Sequence, residues 1–302
     1  MRILIPSDGS ACSCEAIRFI SERAGFMGDK PEVELLNIQS AIPAGVIDRF
    51  GLDAVRSVYE AEGRARLEGA EKTAERAGLE VESAVRLGEC GPAIAREAEA
   101  TKADMIAMGT RGLSPAKSLF LGSVSRSVLE RTTVPVLLVR EEALPKRENL
   151  RILLATDGSD YGEAAAVFIA ANPALFGPAP VVDVICVAND FVSLARNTVD
   201  GVSPGDAPES LEKAAAAAWE NAVAPVLGTL SEAGIDAKPV RREGDPAEAI
   251  SAYANENADI IVMGSHGYGR IKAAVLGSTA AKVAAFTKVP VLVIRVPESN
   301  VL

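Results

Sequence analysis

The chain has 302 residues, a length that suits two domains of ordinary size, each with its own hydrophobic core. Its formal net charge of −10 and its isoelectric point near 4.9 argue against a nucleic-acid-binding surface, which needs clustered lysine and arginine. The sequence contains no apolar run of about 18 residues and begins with a strand pattern rather than a signal peptide, so we expect a cytoplasmic protein that contacts no membrane.

The two halves of the chain resemble each other. Residues 2–10 and 151–159 are identical at six of nine positions, and residues 109–140 align with residues 264–295 without a gap. The segment between the halves, residues 141–148, is polar and contains a proline, which is typical of a linker. The sequence therefore predicts an internal duplication. The predicted domains are residues 1–143 and 149–297.

The hydrophobic periodicity of the first half predicts alternating strands and helices. Ser10 is predicted as the N-cap of the first helix, Gly78 follows the second helix, and Ser123 is predicted as the N-cap of the fourth. The predicted strands are residues 3–6, 33–38, 79–87, 104–108 and 134–140. The predicted helices are residues 11–24, 50–77, 93–100 and 124–131.

The second half repeats this order, and the alternation predicts a parallel sheet in each half, with right-handed crossovers and helices on both faces. Residues 189–208 are rich in glycine, proline, serine and aspartate and are predicted to form a longer loop over the sheet. The predicted strands are residues 151–155, 181–187, 235–242, 259–263 and 290–295. The predicted helices are residues 160–171, 209–233, 246–257 and 278–287.

A glycine pattern follows the fourth strand of each half. It reads Gly109-x2-Gly112-x9-Gly122-Ser123 in the first copy and Gly264-x2-Gly267-x9-Gly277-Ser278 in the second. Glycine lets the backbone approach a ligand closely, and a helix N-terminus offers unpaired N–H donors and partial positive charge, a combination that suits a phosphate group. Two glycines between a strand and a helix are also ordinary turn chemistry, but the same spacing in two diverged copies favours a phosphate-binding loop.

An aspartate follows the first strand of each half, Asp8 in the first and Asp157 in the second. In open α/β sheets, ligands bind beyond the carboxyl ends of the strands where the strand order reverses, so each aspartate is expected to share a crevice with a glycine loop. A carboxylate there can accept hydrogen bonds from ribose hydroxyls or an adenine amine. The alternative is a turn or cap at the start of the adjacent helix, and the neighbouring glycine loop favours ligand contact.

The glycine loops carry basic side chains that are candidate phosphate partners. Each can also be interpreted as a solvated loop charge. His266 is the one histidine of the chain, and without an orienting carboxylate in view it is a poor candidate for a catalytic base. The four cysteines show no zinc-ligand spacing, so we predict structural thiols and no metal site. The basic candidates are Arg111 and Lys117 in the first loop and His266, Arg270 and Lys272 in the second.

These residues resemble the universal stress protein family in a tandem two-domain form. The resemblance rests on the two glycine motifs, the Asp-Gly-Ser after each first strand and the Val-Pro-Val strand that ends each half, and it covers nearly the whole chain. It implies an α/β fold with two tandem open five-stranded parallel sheets of order 3-2-1-4-5, similar to the adenine nucleotide alpha hydrolases. It also implies an adenine nucleotide, ATP or else ADP or AMP, with or without Mg²⁺, at the carboxyl ends of the strands.

The resemblance assigns one nucleotide site to each half, with the adenosine beside the first and second strands and the phosphates at the glycine motif. The first site would comprise Pro6, Ser7, Asp8, Ile38, Met108, Gly109, Gly112, Gly122, Ser123, Val124 and Ser125, and the loop charge adds Arg111 to it. The second would comprise Ala155, Thr156, Asp157, Val187, Met263, Gly264, Gly267, Gly277, Ser278 and Thr279, and the loop charge adds His266 to it. Ala280 stands where the first copy has Ser125, so one hydroxyl is missing and the occupancy of the second site is expected to differ.

The resemblance further implies that the fifth strands pair between tandem domains or across a dimer. An uncovered apolar strand edge is an association site on general grounds. We therefore expect residues 136–140 and 291–295 to pair within the chain, with a homodimer as a further expectation. A regulatory protein partner is also implied, and the sequence does not identify it.

The favoured hypothesis is an ATP-binding regulatory or stress-response module with at most slow ATP hydrolysis. Phosphoryl transfer needs a held metal ion and a positioned base or water, and Asp8 is the only carboxylate that the pattern places at the first site. An adenylating or pyrophosphatase-type enzyme of the same fold would carry a Ser-Gly-Gly type loop after the first strand, where this chain has Ser7-Asp8-Gly9-Ser10. A flavin-binding electron-transfer subunit and a ligand-free protein-interaction scaffold are the remaining alternatives.

Overall fold

The computed structural model of the protein describes residues 1–28, 30–40, 44–110, 121–140, 144–145, 147–188, 208–266 and 276–296. The chain forms two compact units, Met1–Leu144 and Pro145–Leu302, which we call domain 1 and domain 2. The loop predicted at residues 189–208 lies outside the described residues apart from its last residue.

The described part of domain 1 is a parallel sheet covered by helices. Its strands lie in the order β3-β2-β1-β4-β5, and each neighbouring pair is parallel. The strands are β1 (Arg2–Pro6), β2 (Glu32–Gln39), β3 (Val81–Leu87), β4 (Met105–Thr110) and β5 (Val136–Arg140). The helices are α1 (Ala11–Ala24), α2 (Ala44–Phe50), α3 (Leu52–Arg76), α4 (Cys90–Ala100) and α5 (Ser123–Leu129).

The core of domain 1 lies on both faces of the central strands. Ile3, Leu4 and Ile5 of β1 are all buried, so the strand has no solvent-facing side. Helix α1 packs on α3 and β4, whereas α4 packs on α5 and β2. A continuous apolar strand between two helical layers is the usual pattern of a parallel sheet.

Domain 2 repeats this arrangement, with β6 in the place of β1 and the strand order β8-β7-β6-β9-β10. A short 3-10 helix, Pro173–Leu175, follows α6 and was not predicted. The strands are β6 (Arg151–Thr156), β7 (Val181–Ala188), β8 (Ala237–Glu243), β9 (Ile260–Gly264) and β10 (Val291–Ile294). The helices are α6 (Asp160–Ala171), α7 (Pro208–Glu232), α8 (Pro246–Asn257) and α9 (Ser278–Phe286).

The α/β fold class with parallel sheets and helices is confirmed, and two local predictions are wrong. The helix predicted at residues 50–77 begins only at Leu52, because Gly51 has a φ of 80° in the left-handed region that ends a helix, and the preceding helix α2 was not predicted. Ser123 is not an N-cap: Gly122 takes that position, and Ser123 is the first helical residue.

The fourth strands are longer than predicted. β4 continues to Thr110 and β9 continues to Gly264. The first glycine of each motif therefore belongs to a strand rather than to the loop that follows it. None of the described helices combines the length and apolar composition that a membrane crossing requires. The pairing of the two fifth strands stays a prediction.

Candidate functional site

In each domain the first strand lies beside the fourth. β1 pairs with β4 through Ile3–Met105, and β6 pairs with β9 through Ile152–Ile260. The second strand pairs on the other side of the first, so the strand order reverses at this point. The turns after β1 and β6 therefore meet the ends of β4 and β9 at the edge of the sheet where ligands bind in open α/β folds.

Asp8 and Asp157 each close a turn at the start of a helix. The Ser10 backbone N–H donates to Oδ1 of Asp8 over 3.0 Å, and the Ser159 backbone N–H donates to Oδ1 of Asp157 over 3.1 Å. The Ser159 hydroxyl adds a 2.6 Å hydrogen bond to the same Asp157 oxygen. The turn considered as the alternative to ligand contact is therefore present in both domains, and it engages Oδ1.

The side chains before these aspartates hold the same turns. In domain 1 the Ser7 and Ser13 hydroxyl oxygens are 2.8 Å apart, and both side chains are buried. In domain 2 the Gly158 N–H donates to Oγ1 of Thr156 over 3.0 Å, and a Cβ placed on Gly162 would lie 2.3 Å from that oxygen. Ser7 and Thr156 were predicted to contact the nucleotide, and the structure gives their hydroxyls contacts within the turn and the adjacent helix.

Gly109 and Gly264 are required by packing. A Cβ on Gly109 would lie 1.6 Å from the Cys12 carbonyl oxygen in the first turn of α1. A Cβ on Gly264 would lie 2.4 Å from Cβ of Tyr161 in the first turn of α6. No side chain fits at either distance, so these glycines let a helix start directly against the end of a strand.

Gly122 and Gly277 begin the helices where the phosphates are expected. Each is the N-cap residue, of α5 and α9 respectively, with extended backbone angles. The first N–H groups of a helix have no partner within the helix and carry the positive end of its dipole. α9 has nine residues and α5 has seven, so the longer of the two helices lies in domain 2.

A cavity of about 280 Å³ lies at this point in domain 2. All the residues predicted for the second site line it, except Gly267, which lies outside the described residues. Four lining residues, Gly162, Pro246, Ile250 and Ser265, were not predicted from the sequence, and Ala280 was considered only as a missing hydroxyl. The lining residues are Ala155, Thr156, Asp157, Gly162, Val187, Pro246, Ile250, Met263, Gly264, Ser265, His266, Gly277, Ser278, Thr279 and Ala280.

The cavity has an apolar part and a polar part. Val187, Ile250 and Met263 are buried and supply the apolar surface. Asp157 and the start of α9 supply the polar surface. This division suits a ligand with a flat apolar ring system at one end and an anionic group at the other.

His266 is a buried member of the polar part. Its Nδ1 lies 3.0 Å from the Ser265 hydroxyl oxygen, and its ring centroid lies 5.3 Å from that of Tyr161, with a tilt of 42° between the planes. Arg295, just after β10, interacts electrostatically with Tyr161, and burial lowers the pKa of this guanidinium. The imidazole is thus held in one orientation beside the N-terminus of α9.

Domain 1 places its predicted site residues in the corresponding positions with different exposure. Met108 and Ser125 are buried, Pro6 and Ile38 are half-buried, and Asp8 is exposed. Gly122, Ser123 and Val124 at the start of α5 are also exposed. The predicted loop residues Arg111, Gly112 and Lys117, together with Arg270 and Lys272 of the second loop, lie outside the described residues.

Two larger concavities, of about 710 and 660 Å³, lie elsewhere in domain 1. Both border α3 and β3, and both are lined by several carboxylates, among them Glu80. Their negative charge opposes a phosphate, so their size does not make them better candidates than the domain 2 cavity. Within the described ranges, no three His, Cys, Asp or Glu side chains come together as a metal-binding group.

The chain was compared with known proteins. The sequence profile of the universal stress protein family matches residues 1–140 and 148–295, nearly the whole length. The chain belongs to the universal stress protein family. The match covers both domains, each with its own glycine motif, and so confirms the resemblance in its tandem form.

Similar members of the family extend over one or both domains. A universal stress protein of Mycolicibacterium smegmatis is 28% identical over 319 residues, which covers 97% of this chain and 96% of that protein. A crystal structure of a universal stress protein from Archaeoglobus fulgidus has a TM-score of 0.68 at 25% identity and covers 97% of this chain. A universal stress protein of Methanocaldococcus jannaschii is 29% identical over 148 residues, 49% of this chain and 84% of its own length.

Proposed function

We propose that this universal stress protein binds an adenine nucleotide at the carboxyl ends of its strands and acts as a nucleotide-dependent regulatory module. The single observation that carries this proposal is the domain 2 cavity, which brings together residues from β6, β7, β9 and the first turn of α9. These residues lie between positions 155 and 280 of the sequence and come together at this edge of the sheet.

The proposed pose follows from the two parts of the cavity. The adenine packs between Val187, Ile250 and Met263, where burial of a flat ring is favourable. Asp157, which lines the polar part of the cavity, accepts from the ribose or the adenine amine. The phosphates bind the backbone N–H groups of Ser278, Thr279 and Ala280, since oriented helix N-termini stabilise anions.

We propose a second, weaker site in domain 1, at Asp8, Met108 and the start of α5. The equivalence of the two repeats supports it. Two features favour weaker binding: α5 is a shorter helix, and Val124 presents an apolar side chain, 38% exposed, where α9 has Thr279. ATP, ADP and AMP are all compatible with this chemistry, and Mg²⁺ would rely on phosphate oxygens because each site contributes one aspartate.

Hydrolysis, if it occurs, is slow. Fast phosphoryl transfer needs a metal ion and a positioned base or water, and Asp8 and Asp157 each already accept hydrogen bonds in their turns. The regulatory role rests on this lack of catalytic groups among the described residues at the two sites. The protein is expected to act through nucleotide occupancy rather than through turnover.

The test is to measure adenine nucleotide binding by calorimetry, with stoichiometry per chain, for the wild type and for Thr279→Glu and Val124→Glu. A glutamate in the first turn of a helix suits the helix dipole, so each variant is expected to fold while repelling a phosphate from its own site. We expect about two sites in the wild type and about one in each variant. Wild-type protein that releases no nucleotide on denaturation and binds none when it is added would overturn the proposal.

A further inference from the structure

We propose that His266 determines ligand specificity in the domain 2 cavity: as an imidazolium it contacts the phosphate end, so that the cavity distinguishes a nucleotide from its nucleoside. This inference rests on the proposed function. It adds a discriminating residue and a pH dependence to that function.

His266 lies at the phosphate end of the proposed site. His266 follows β9 by two residues and lines the same cavity as Ser278 and Thr279 at the start of α9. The Gly277 N–H donates to the Ser265 carbonyl oxygen over 2.8 Å, which joins the backbone before His266 to the N-cap of α9. A phosphate bound at this helix N-terminus is therefore beside the imidazole.

The His266 side chain is held in place by its neighbours. The His266 side chain is only 9% exposed, it is paired through Nδ1 with Ser265, and its ring contacts that of Tyr161. A Cβ on Gly277 would lie 3.4 Å from Cα of His266, so the backbone is also packed closely. A side chain held in this way loses little conformational entropy when a ligand binds.

The charge of an imidazole depends on pH. An imidazole ordinarily titrates near pH 6.5, within the physiological range. Among the described residues, burial of the ring disfavours the imidazolium, and the Asp157 carboxylate, which lines the same cavity, favours it. A bound phosphate adds negative charge beside the ring, so binding of the nucleotide takes up a proton.

The corresponding position in domain 1 is Arg111, which carries a permanent charge. A guanidinium contributes the same attraction at every pH between 5 and 9, whereas an imidazole contributes it only when protonated. The two repeats therefore carry one pH-independent and one pH-dependent cation at this motif position. Substitution of one type by the other provides the matched variant.

The chain contains one histidine, so ring-labelled histidine gives a single imidazole signal in NMR spectra of the full-length protein. The titration of that signal between pH 5 and 8.5 is followed without ligand, with saturating adenosine and with saturating AMP, in the Val124→Glu background. We expect AMP to move the midpoint of the ring titration upward by about 0.5 to 1 pH unit, a ~3- to 10-fold preference for the protonated ring, and adenosine to move it little. The direct signal is needed because the phosphate itself also ionises near pH 6.

Two variants give the complementary affinity measurement. His266→Asn keeps a polar group near Ser265 without a charge, and the ratio of AMP to adenosine affinity at pH 6 is expected to fall about three- to tenfold, in line with the shift of the ring titration. His266→Arg is expected to retain that ratio and to weaken its pH dependence. AMP binding with an unchanged ring titration would overturn the role of His266 and leave the proposed function standing. If neither AMP nor ATP binds in the Val124→Glu background, the domain 2 site is overturned and the role of His266 with it.

Discussion

The first turns of α1 and α6 contact the ends of β4 and β9 through different atoms. In domain 1 a Cβ on Gly109 would meet the Cys12 carbonyl oxygen first, whereas in domain 2 a Cβ on Gly264 would meet Cβ of Tyr161 first and the Tyr161 carbonyl group next. Both contacts leave no room for a Cβ. The comparison teaches that the first glycine of the motif is fixed by the packing of a helix on a strand, whereas the ligand-facing chemistry belongs to the residues that follow it.

A second pair of positions shows compensation between the domains. Domain 1 has Ser7 and Ser13, whose hydroxyls hydrogen-bond to each other, and domain 2 has Thr156 and Gly162 at the same places. The extra methyl group of threonine is matched by the loss of a whole side chain from the helix. The two repeats therefore reach the same turn with different volumes on each side of the contact.

The largest effect on the stability of the protein is expected when the motif glycines are replaced by alanine. Gly109→Ala should destabilise the protein by about 3 kcal/mol or more, because its Cβ meets a backbone carbonyl that cannot rotate away. Gly264→Ala should cost somewhat less, since its Cβ would lie 2.4 Å from the nearest atom rather than 1.6 Å, and Gly122→Ala should be mild because its Cβ has no neighbour closer than 3.9 Å. Urea denaturation followed by circular dichroism measures the free energy of unfolding and so ranks the three variants. A Gly109→Ala protein as stable as Gly122→Ala would refute the packing interpretation.

The next largest effect on stability concerns the contact between Thr156 and Gly162. Gly162→Ser should destabilise domain 2 by about 2 kcal/mol, because its Cβ would lie 2.3 Å from Oγ1 of Thr156. Thr156→Ser in the same chain should recover most of this loss by recreating the pair found in domain 1. The chain's one tryptophan, Trp219, lies in α7 of domain 2, so its fluorescence reports on the unfolding of this domain. If the losses of stability from the two substitutions simply add in the double variant, the two positions do not compensate for each other.

The two domains also differ at a buried polar cluster beside the second strand. In domain 1, Glu34 of β2 lies beside Glu97 of α4, and Arg86 of β3 donates to both Glu97 carboxylate oxygens over 2.9 and 2.6 Å. In domain 2 the Tyr253 hydroxyl donates to Oδ2 of Asp183 over 2.7 Å. Burial first, and then the Glu97 charge, raise the pKa of Glu34 above its usual range.

This difference predicts opposite effects on stability at pH 7 when each carboxylate is replaced by its amide. Because the folded-state pKa of Glu34 is raised, its protonated form stabilises domain 1 at low pH, and that contribution is lost as the pH rises from about 4.5 through the raised value. Glu34→Gln should therefore raise the stability at pH 7 by about 1 kcal/mol and have little effect near pH 4. Asp183→Asn, which loses the Lys238 ion pair, should lower stability at pH 7. Thermal denaturation across pH 4–8 measures both, and a pH-independent Glu34→Gln effect would count against this account.

Sequence patterns predicted the fold because the signals that set it are local and repeated. Strand and helix alternation and the duplicated motif were enough to place Asp157, Met263 and Thr279 at one edge of a sheet. Gly51 was included at the start of the long helix, and α2 before it was missed, because periodicity alone does not indicate a positive φ. Ile250 was missed as a cavity residue because its helical spacing indicates burial without indicating what it is buried against.

The smallest predicted effect concerns the one hydroxyl that differs between the proposed sites. Ser125 and Ala280 are both buried in the first turn of their helices. If the Ser125 hydroxyl binds a phosphate, Ser125→Ala should weaken nucleotide binding to domain 1 about fivefold, and Ala280→Ser should strengthen binding to domain 2 by no more than that. Calorimetry in the Thr279→Glu and Val124→Glu backgrounds isolates each site. Unchanged affinity with lower stability in Ser125→Ala would mean that this hydroxyl bonds its own helix, and the difference between the sites would then rest on the helix length and on Val124.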